Sequence, residues 1–203
     1  MRKFTLLICS SFFIFLLNAQ VINKGDRLFG GSFSFSVFNI NNSGPGYYTS
    51  GNVGLLPSYA WVIKDNLSFG IRGSMNFQHT KSTGGPTNII NSYGIGVGPF
   101  IKKYKVLKNK FGIYFNNEVL MNYNKNVYKD DIMPDVHAET LGMAYNFQPG
   151  VFYKFSENFF GEGNIGGLYA SYSHGNSVTN LGIGASFLQY FNLGINYRIQ
   201  KKG

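Results

Sequence analysis

Apolar and polar residues alternate along most of the chain from residue 26 onward. The pattern is clearest over residues 67–80, where the odd positions are mostly large and apolar and the even positions are polar or small. Alternation with a period of two puts the apolar side chains on one face of a β-strand and the polar ones on the other. Arg72 falls on the polar face in the middle of this stretch. The pattern therefore predicts a strand whose polar face carries a charge.

Segments of this kind recur along the chain, and eight can be drawn. They cover residues 27–38, 52–63, 67–79, 91–103, 111–124, 140–154, 159–172 and 181–199. Most exceed the roughly 5–6 residues of a mean soluble strand. They also reach the ~9–11 residues with which a tilted strand crosses a bilayer. A soluble barrel of the lipocalin kind would show the same alternation, but its apolar face would turn inward around a ligand.

The predicted connections alternate in length. Turns at residues 64–66, 103–110 and 156–158 alternate with longer polar loops at 39–51, 80–90, 125–139 and 173–180. Bacterial outer-membrane barrels combine short periplasmic turns with longer extracellular loops. The predicted fold class is therefore all-β: an eight-stranded antiparallel up-and-down transmembrane β-barrel, with short periplasmic turns and longer extracellular loops. An even number of strands places both termini in the periplasm.

The first residues predict an export signal. Arg2 and Lys3 precede the apolar run 4–17, which is too short to span a bilayer easily, and Ala19 is a small residue before the expected cleavage. We therefore expect a signal peptide at residues 1–19, an outer-membrane barrel domain at residues 20–203, and export through the periplasm to the cell outer membrane of a Gram-negative bacterium. The single cysteine, Cys9, lies in the signal, so the mature barrel would contain no disulfide.

Composition excludes several other classes of protein. Charged residues make up 13% of the chain and aromatic residues 17%, whereas a disordered chain is highly charged and poor in aromatics. Mean hydropathy is −0.08, and no stretch after residue 17 approaches the ~20 apolar residues of a spanning helix. The net charge of +9 is typical of nucleic-acid binding, but the export signal and the placement of the charges argue against a nucleic-acid partner.

The strand assignment sorts the charged residues into groups. The cations expected at the periplasmic end are Lys24, Arg27, Lys64, Lys102, Lys103, Lys105, Lys108, Lys110, Lys154, Arg198, Lys201 and Lys202. The acids expected there are Asp26, Asp65 and Glu157, and the charges expected at the outer end are Lys81, Lys125, Lys129, Asp130, Asp131, Asp135 and Glu139. No charge is left for the lipid-facing positions, where Lys or Arg at mid-depth would cost ~2–4 kcal/mol. The basic rim is interpreted as solvated turns near anionic headgroups, with an acidic periplasmic partner as the alternative.

The remaining charges, Arg72, Glu118 and Glu162, lie on the polar faces of the third, fifth and seventh predicted strands. An isolated charge in a narrow lumen is costly. We therefore expect an ion-pair network in the lumen in which Arg72 contacts at least one of the two glutamates. The network is interpreted as a polar plug that stabilises the barrel, and the alternative is a gate in a narrow pore.

Aromatic residues on the apolar faces are expected to form bands at the two membrane interfaces. Near the periplasm they are Tyr59, Trp61, Phe111, Tyr153, Phe159 and Tyr197, and near the outside Phe77, Tyr93, Tyr123 and Tyr169.

Two further features of the chain are a repeat around Pro57, Pro99 and Pro149 and the C-terminal run 192–199. Each proline precedes an aromatic residue and a basic turn; because proline cannot donate a ladder hydrogen bond, we expect a local irregularity at each. These features resemble the outer-membrane β-barrel domain proteins of the porin-like superfamily, particularly the small Bacteroidetes type with outer-membrane protein A-like eight-stranded barrels. The resemblance implies that Gly194, Tyr197 and Ile199 belong to a signal read by the barrel-assembly machinery, although that family usually ends the signal with an aromatic residue where Ile199 stands here.

Few residues indicate chemistry. His79, His137 and His174 map to the outer end near several carboxylates, but their spacing matches no metal motif, and we expect neither a metal nor a cofactor. The run 173–177 contains Ser, His and Asn, the residue types of enzymes that modify lipid A, but in a different order.

The sequence therefore predicts a monomeric, non-enzymatic outer-membrane protein, in contact with the outer-membrane lipid bilayer, that has a structural or surface-interaction role. The alternative is a narrow channel or transporter for small or hydrophobic solutes, and a lipid A-modifying enzyme is the remote alternative.

Overall fold

The computed structural model describes residues 21–41, 47–83, 87–130, 134–175 and 178–201, and the predicted signal peptide lies outside them. The described residues form the strands β1 (Arg27–Asn41), β2 (Tyr47–Lys64), β3 (Leu67–Ser82), β4 (Asn88–Lys108), β5 (Phe111–Asp130), β6 (Val136–Lys154), β7 (Phe159–Gly175) and β8 (Val178–Ile199). Each strand is antiparallel to its neighbours in chain order, and β8 pairs with β1, so the sheet closes into a barrel. The predicted eight-stranded up-and-down barrel is confirmed. No helix among the described residues is long and apolar enough to span a membrane.

The strands are longer than predicted. We call the end that carries the turns 65–66, 109–110 and 155–158 the turn end, and the opposite end the loop end. All the strands continue further toward the loop end than the alternation indicated, so the connections there comprise only residues 42–46, 83–87, 131–135 and 176–177. Main-chain ladders need no apolar side chains, so the polar ends of the strands pair as well as the apolar parts do.

The predicted turn at 103–110 is wrong. Strand β4 runs to Lys108 and β5 begins at Phe111, which leaves a two-residue turn at Asn109 and Lys110. Asn109 has a φ of 40°, and Asn66 in the turn at 65–66 has a φ of 60°. Asparagine tolerates this left-handed backbone better than most residues, which suits it to tight turns.

The apolar faces of the strands point outward, as predicted. Along β1, Phe29, Phe33 and Phe35 are 50–62% exposed, while Leu28 on the opposite face is 3% exposed. The same alternation on the other strands makes the outer surface apolar over the middle of the barrel. In the half of the barrel nearer the loop end, the inward side chains are mostly serine, asparagine or glycine.

The lumen is apolar at the turn end, which the sequence did not predict. The inward residues there are buried against each other and against two residues that precede β1: Leu28, Ala60, Val62, Phe100, Tyr104, Tyr114, Phe152 and Phe160, with Val21 and Ile22. Rings pack edge-on at centroid distances of 5.6 Å (Tyr104 to Phe152) and 5.8 Å (Tyr104 to Phe160). Gly150 makes room for this cluster, because a Cβ there would lie 2.2 Å from the ring of Tyr114. We call this cluster the aromatic plug.

Each of the three prolines interrupts a ladder on one side. Pro57 pairs with β1, Pro99 with β3 and Pro149 with β5, but the described pairs skip each of them on the other side. The register is kept around Pro57 and Pro99 and shifts only at Pro149. The predicted irregularity is therefore a ladder gap at all three and a register shift at one.

The shift opposite Pro149 exchanges the two faces of β7. The side-chain oxygen of Asn164 accepts a hydrogen bond of 2.7 Å from the N–H of Gly166, whose φ of 111° favours glycine. Beyond this bulge Tyr169 lies on the lumen face over Gly184, where a Cβ would be 2.5 Å from its hydroxyl. The prediction that Tyr169 belongs to the outer aromatic band is therefore wrong. The other predicted band residues lie on the outer surface.

The closing seam between β1 and β8 is short. Its described pairs run from Arg27↔Ile199 to Phe33↔Leu193, whereas β1 remains paired with β2 as far as Asn41. Against β7, strand β8 carries extra residues between Phe187 and Asn192. The halves of β1 and β8 near the loop end therefore share no described ladder pair.

Candidate functional site: the charge layer of the lumen

The first ion pair of the lumen joins Arg72 to Glu118. The Nη1 of Arg72 donates to Glu118 Oε2, and both residues are buried. The guanidinium also lies 4.9 Å from the ring centroid of Phe100. Two amides complete the carboxylate's coordination: Asn116 Nδ2 at 3.1 Å and Asn146 Nδ2 at 3.2 Å. The structure thus places Arg72 against one of the two glutamates named from the sequence.

The second glutamate has a different partner. Glu162 accepts hydrogen bonds from Lys102 Nζ at 2.6 Å and from the hydroxyl of Tyr104 at 2.7 Å. Lys102 is 3% exposed, and its Nζ lies 4.9 Å from the ring centroid of Tyr114. Arg72, Lys102, Glu118 and Glu162 together form what we call the charge layer, which lies directly beside the aromatic plug.

The assignment of Lys102 to the periplasmic rim is wrong. The sequence analysis ended β4 at residue 103, which put Lys102 beside a turn, but the strand continues to Lys108. Lys102 shares its even position with Phe100 and Tyr104, which also face the lumen. The alternation along β4, continued past residue 103, was the signal that could have placed Lys102 inside the barrel.

A small cavity of about 30 Å³ lies within the charge layer and is lined by Arg72, Lys102, Asn116 and Glu162 among others. Among the described residues, Arg72 Nε and Asn116 Oδ1 are buried without a hydrogen-bond partner. The layer holds two cations and two anions, each buried against an opposite charge, and this arrangement supports packing and electrostatic closure of the lumen.

A third ion pair, at the turn end, joins the residue before β1 to the last part of β8. Arg198 Nε donates to Asp26 Oδ2 at 2.6 Å, and its Nη1 donates to the carbonyl of Val21 at 3.0 Å. Asp26 and Arg198 are 3% and 7% exposed. Both were assigned from the sequence to the solvated rim, and both lie inside instead, because Arg198 shares the inward parity of β8 with Asn196.

The residues of the expected assembly signal lie in the part of β8 that pairs with β1. Gly194 is buried, while Tyr197 and Ile199 each are 48% exposed on the outer surface. Their partners across the seam are Ser32, Phe29 and Arg27.

The charged and polar residues at the loop end are spread over the surface. Lys125 Nζ lies 3.7 Å from Glu139 Oε1, and Lys129 Nζ lies 3.7 Å from Asp135 Oδ2. All four side chains are well exposed. His137 is exposed there. Among the described residues no group of three or more histidine, cysteine, aspartate or glutamate side chains is arranged to hold a metal ion. Asp131 and Lys202 lie outside the described residues.

The run that suggested lipid A chemistry is divided between two faces. The Nδ1 of His174 lies 2.9 Å from the hydroxyl of Thr179 near the surface. Ser173, its neighbour on β7, is on the opposite face, beside Gly142 in the lumen. Successive residues of a strand point to opposite sides of the sheet, so these two side chains do not form a serine–histidine pair. Asn176 and Ser177 lie outside the described residues.

Comparison with known proteins matches no protein-family model and no curated protein. Several solved structures are similar to the chain. Neisserial surface protein A (NspA) is 14% identical, with 85% of this chain and 94% of that chain covered and a TM-score of 0.42. Ail, the attachment invasion locus protein of Yersinia pestis, is 15% identical, with 87% and 99% covered and a TM-score of 0.40. A major outer membrane protein from Thermus thermophilus is 11% identical, with 85% and 99% covered and a TM-score of 0.47.

Proposed function

We propose that the protein is an integral outer-membrane β-barrel with a structural or surface-interaction role, and that its lumen does not conduct solutes. The apolar outer surface supports the membrane location. Ile71, Ile95 and Met121 are 49–61% exposed, and such a surface is unfavourable in water but matches hydrocarbon. Except along the halves of β1 and β8 near the loop end, the closed sheet satisfies the backbone hydrogen bonds that a bilayer cannot. The turn end would face the periplasm and the loop end the outside.

The observation that carries the non-conducting role is the double closure of the lumen. The aromatic plug fills the turn end, and the charge layer crosses the barrel beside it. Toward the loop end the lumen is polar and open, since Asn76 points inward and is nevertheless exposed. A polar recess with a closed floor presents a surface to the outside and offers no path through the barrel.

Two measurements test this proposal. Fractionation of the native host should recover the protein, without the predicted signal peptide, in the outer membrane. In planar bilayers the purified protein should show no stepwise conductance, and Arg72→Ala should not create one, because the aromatic plug stays in place. A steady conductance of the unmodified protein that Arg72→Ala changes would overturn the non-conducting role and favour a gated pore.

A second candidate function is a lateral route for hydrophobic solutes, and the short seam favours it. Beyond Phe33↔Leu193 the described residues of β1 and β8 share no ladder pair. Leu181 and Ile183 on β8 are 78% and 82% exposed, the highest values among the large apolar residues described. Such a gap would connect the polar recess with the leaflet near the loop end.

Uptake of a lipophilic fluorescent dye by cells that express the protein separates the two candidates. A lateral route requires faster uptake than in cells lacking the protein. Ser36→Trp, which would place a large side chain on the lumen face of β1 beside the stretch without ladder pairs to β8, should abolish the difference. Equal uptake with and without the protein would eliminate this second candidate.

The partners of the protein would be the outer-membrane bilayer and, during biogenesis, the barrel-assembly machinery. We expect the protein to be a monomer. The pairing of residues 193–199 with β1 supports a role of the C-terminal run in closing the barrel. Replacing Tyr197 with Asp should reduce the folded fraction in the outer membrane, whereas Tyr93→Asp, at an outward position outside the signal, serves as the matched control.

A further inference from the structure

The polar recess, which is the part of the lumen between the charge layer and the loop end, is lined mainly by amides and hydroxyls. On β3 the inward residues at this depth are Ser74, Asn76 and Gln78, and on β5 they include Asn122 and Asn124. The inward residues of the other strands there are mostly serine, threonine, asparagine, glycine or alanine. None of the inward side chains that the structure describes in this region is charged. The recess is therefore polar and electrically neutral.

The outer faces of the same strands carry charges at nearly the same depth. Lys125 follows Asn124 on β5, and its partner Glu139 precedes Thr140 on β6. Successive residues of a strand differ in the face they occupy and hardly in depth. Water reaches the recess as well as the outer face, because Asn76 points inward and is exposed. The described wall of the recess thus lacks charges at a depth where water could solvate them.

Glycines of β4 widen the recess. Gly94 pairs with Asn76 on one side and with Asn124 on the other, and a Cβ on Gly94 would overlap both side-chain oxygens. Gly96, two residues closer to the charge layer, is covered in the same way by the inward side chains of β3 and β5. These polar groups therefore lie against the wall of the barrel. An eight-stranded barrel whose side chains do not fill the interior has room for one small ligand.

The chemistry of the wall favours one class of ligand. An amide and a hydroxyl each donate and accept hydrogen bonds, as the hydroxyls of a sugar do. A charged ligand would lose water without gaining a counter-charge, since the four charges of the charge layer are paired with each other. An apolar ligand would leave the amides unpaired. Tyr169, on the lumen face and 43% exposed, offers an aromatic ring to the apolar face of a sugar.

We propose that the polar recess binds one ring of a neutral sugar, either free or at the end of a glycan, which enters from the loop end. The inference rests on the proposed surface-interaction role and names the ligand class of that role. Because the charge layer and the aromatic plug close the floor, the sugar leaves by the way it entered.

Saturation-transfer difference NMR on the purified protein in phosphatidylcholine nanodiscs tests the proposal. The method detects weak binding, and nanodiscs avoid detergents with sugar headgroups. The probes are methyl glucoside, glucuronate and glucosamine, the last at a pH where its amine is protonated. We expect methyl glucoside to bind several-fold more tightly than either charged sugar. Maltotriose distinguishes the two sources: transfer to its terminal ring assigns the end of a glycan, and exclusion of the trimer assigns a free sugar.

Substitutions of Asn76 locate the binding in the recess. Asn76→Leu removes hydrogen bonds to the sugar and should weaken binding of methyl glucoside about two- to tenfold. Asn76→Asp keeps the size of the side chain and adds a negative charge, so it should shift the preference toward protonated glucosamine. The matched controls are Asn91→Leu and Asn91→Asp on the outer face of β4, where Asn91 contacts His79, and they should change neither affinity. The mobility shift on gels verifies that each variant is folded.

Three results would overturn the inference. Absence of transfer to methyl glucoside in folded protein would exclude a sugar site. Equal binding of the neutral and charged sugars would exclude selection by the neutral wall. Equal effects of the Asn76 and Asn91 substitutions would place the binding outside the recess. All three results leave the outer-membrane location and the non-conducting lumen intact, because fractionation and conductance measurements test those separately.

Discussion

Ion pairs are buried in the half of the barrel nearer the turn end and exposed at the loop end. In the half nearer the turn end, the described ion pairs Arg72–Glu118, Lys102–Glu162 and Arg198–Asp26 are buried, with side chains no more than 10% exposed. At the loop end, the described pairs Lys125–Glu139 and Lys129–Asp135 are 43–54% exposed and separated by 3.7 Å.

The difference shows that burial and additional hydrogen bonds decide what an ion pair contributes. A buried carboxylate has lost its water and depends on the cation and the amides around it, so the loss of one partner leaves a charge that nothing solvates. An exposed pair exchanges one solvated arrangement for another and contributes little. Substitutions at the two ends should therefore differ several-fold in their effect on stability.

The largest effect is expected at Glu162. Glu162→Leu leaves the buried ammonium of Lys102 and the hydroxyl of Tyr104 without their acceptor, and should lower the free energy of unfolding by about 3–5 kcal/mol. Urea titration in detergent micelles, followed by the mobility shift of folded barrel on gels, measures it.

A double substitution sharpens this result. Lys102→Met combined with Glu162→Leu removes both charges, and should recover much of the lost stability because apolar residues of similar volume often replace buried pairs without loss. If the double variant were less stable than Glu162→Leu alone, the unpaired charge would not be the cause.

An intermediate effect is expected at the seam. Asp26→Asn keeps the shape of the side chain but removes the charge that faces Arg198, and should cost about 1.5–3 kcal/mol, as for other hydrogen bonds to charged groups. The same titration measures it, with Asp65→Asn in the exposed turn as the matched control. Equal effects of the two substitutions would contradict the role assigned to the buried pair.

The smallest effect is expected at the loop end. Lys125→Ala should change the free energy of unfolding by no more than about 0.2–1 kcal/mol, and added salt should reduce even that difference because it screens exposed charges. Salt should leave the effect of Glu162→Leu nearly unchanged. A loss at Lys125 as large as that at Glu162 would remove the contrast between the two ends.

The architecture followed from the sequence because alternation is a local property. Each apolar face, such as that of Phe29, Phe33 and Phe35, is visible within a few residues, and the strands then pair in chain order. The strands were predicted to stop too early at the loop end. Pairing there is made by main-chain hydrogen bonds, which require no alternation of apolar and polar residues in the sequence. The faces were predicted correctly except beyond Gly166, where one bulge exchanged them and turned Tyr169 into the lumen.

The sequence by itself determined the barrel, the outward direction of its apolar faces and the inward position of Arg72, Glu118 and Glu162. It did so because apolar and polar residues alternate within each strand, and this alternation assigns every side chain to one face. Only the tertiary structure decided the partners across the lumen. Lys102 on β4 meets Glu162 on β7, three strands further around the barrel, and Asp26 meets Arg198 because the last strand closes on the first. Such contacts depend on the register and closure of the whole sheet, which no local pattern of residues records.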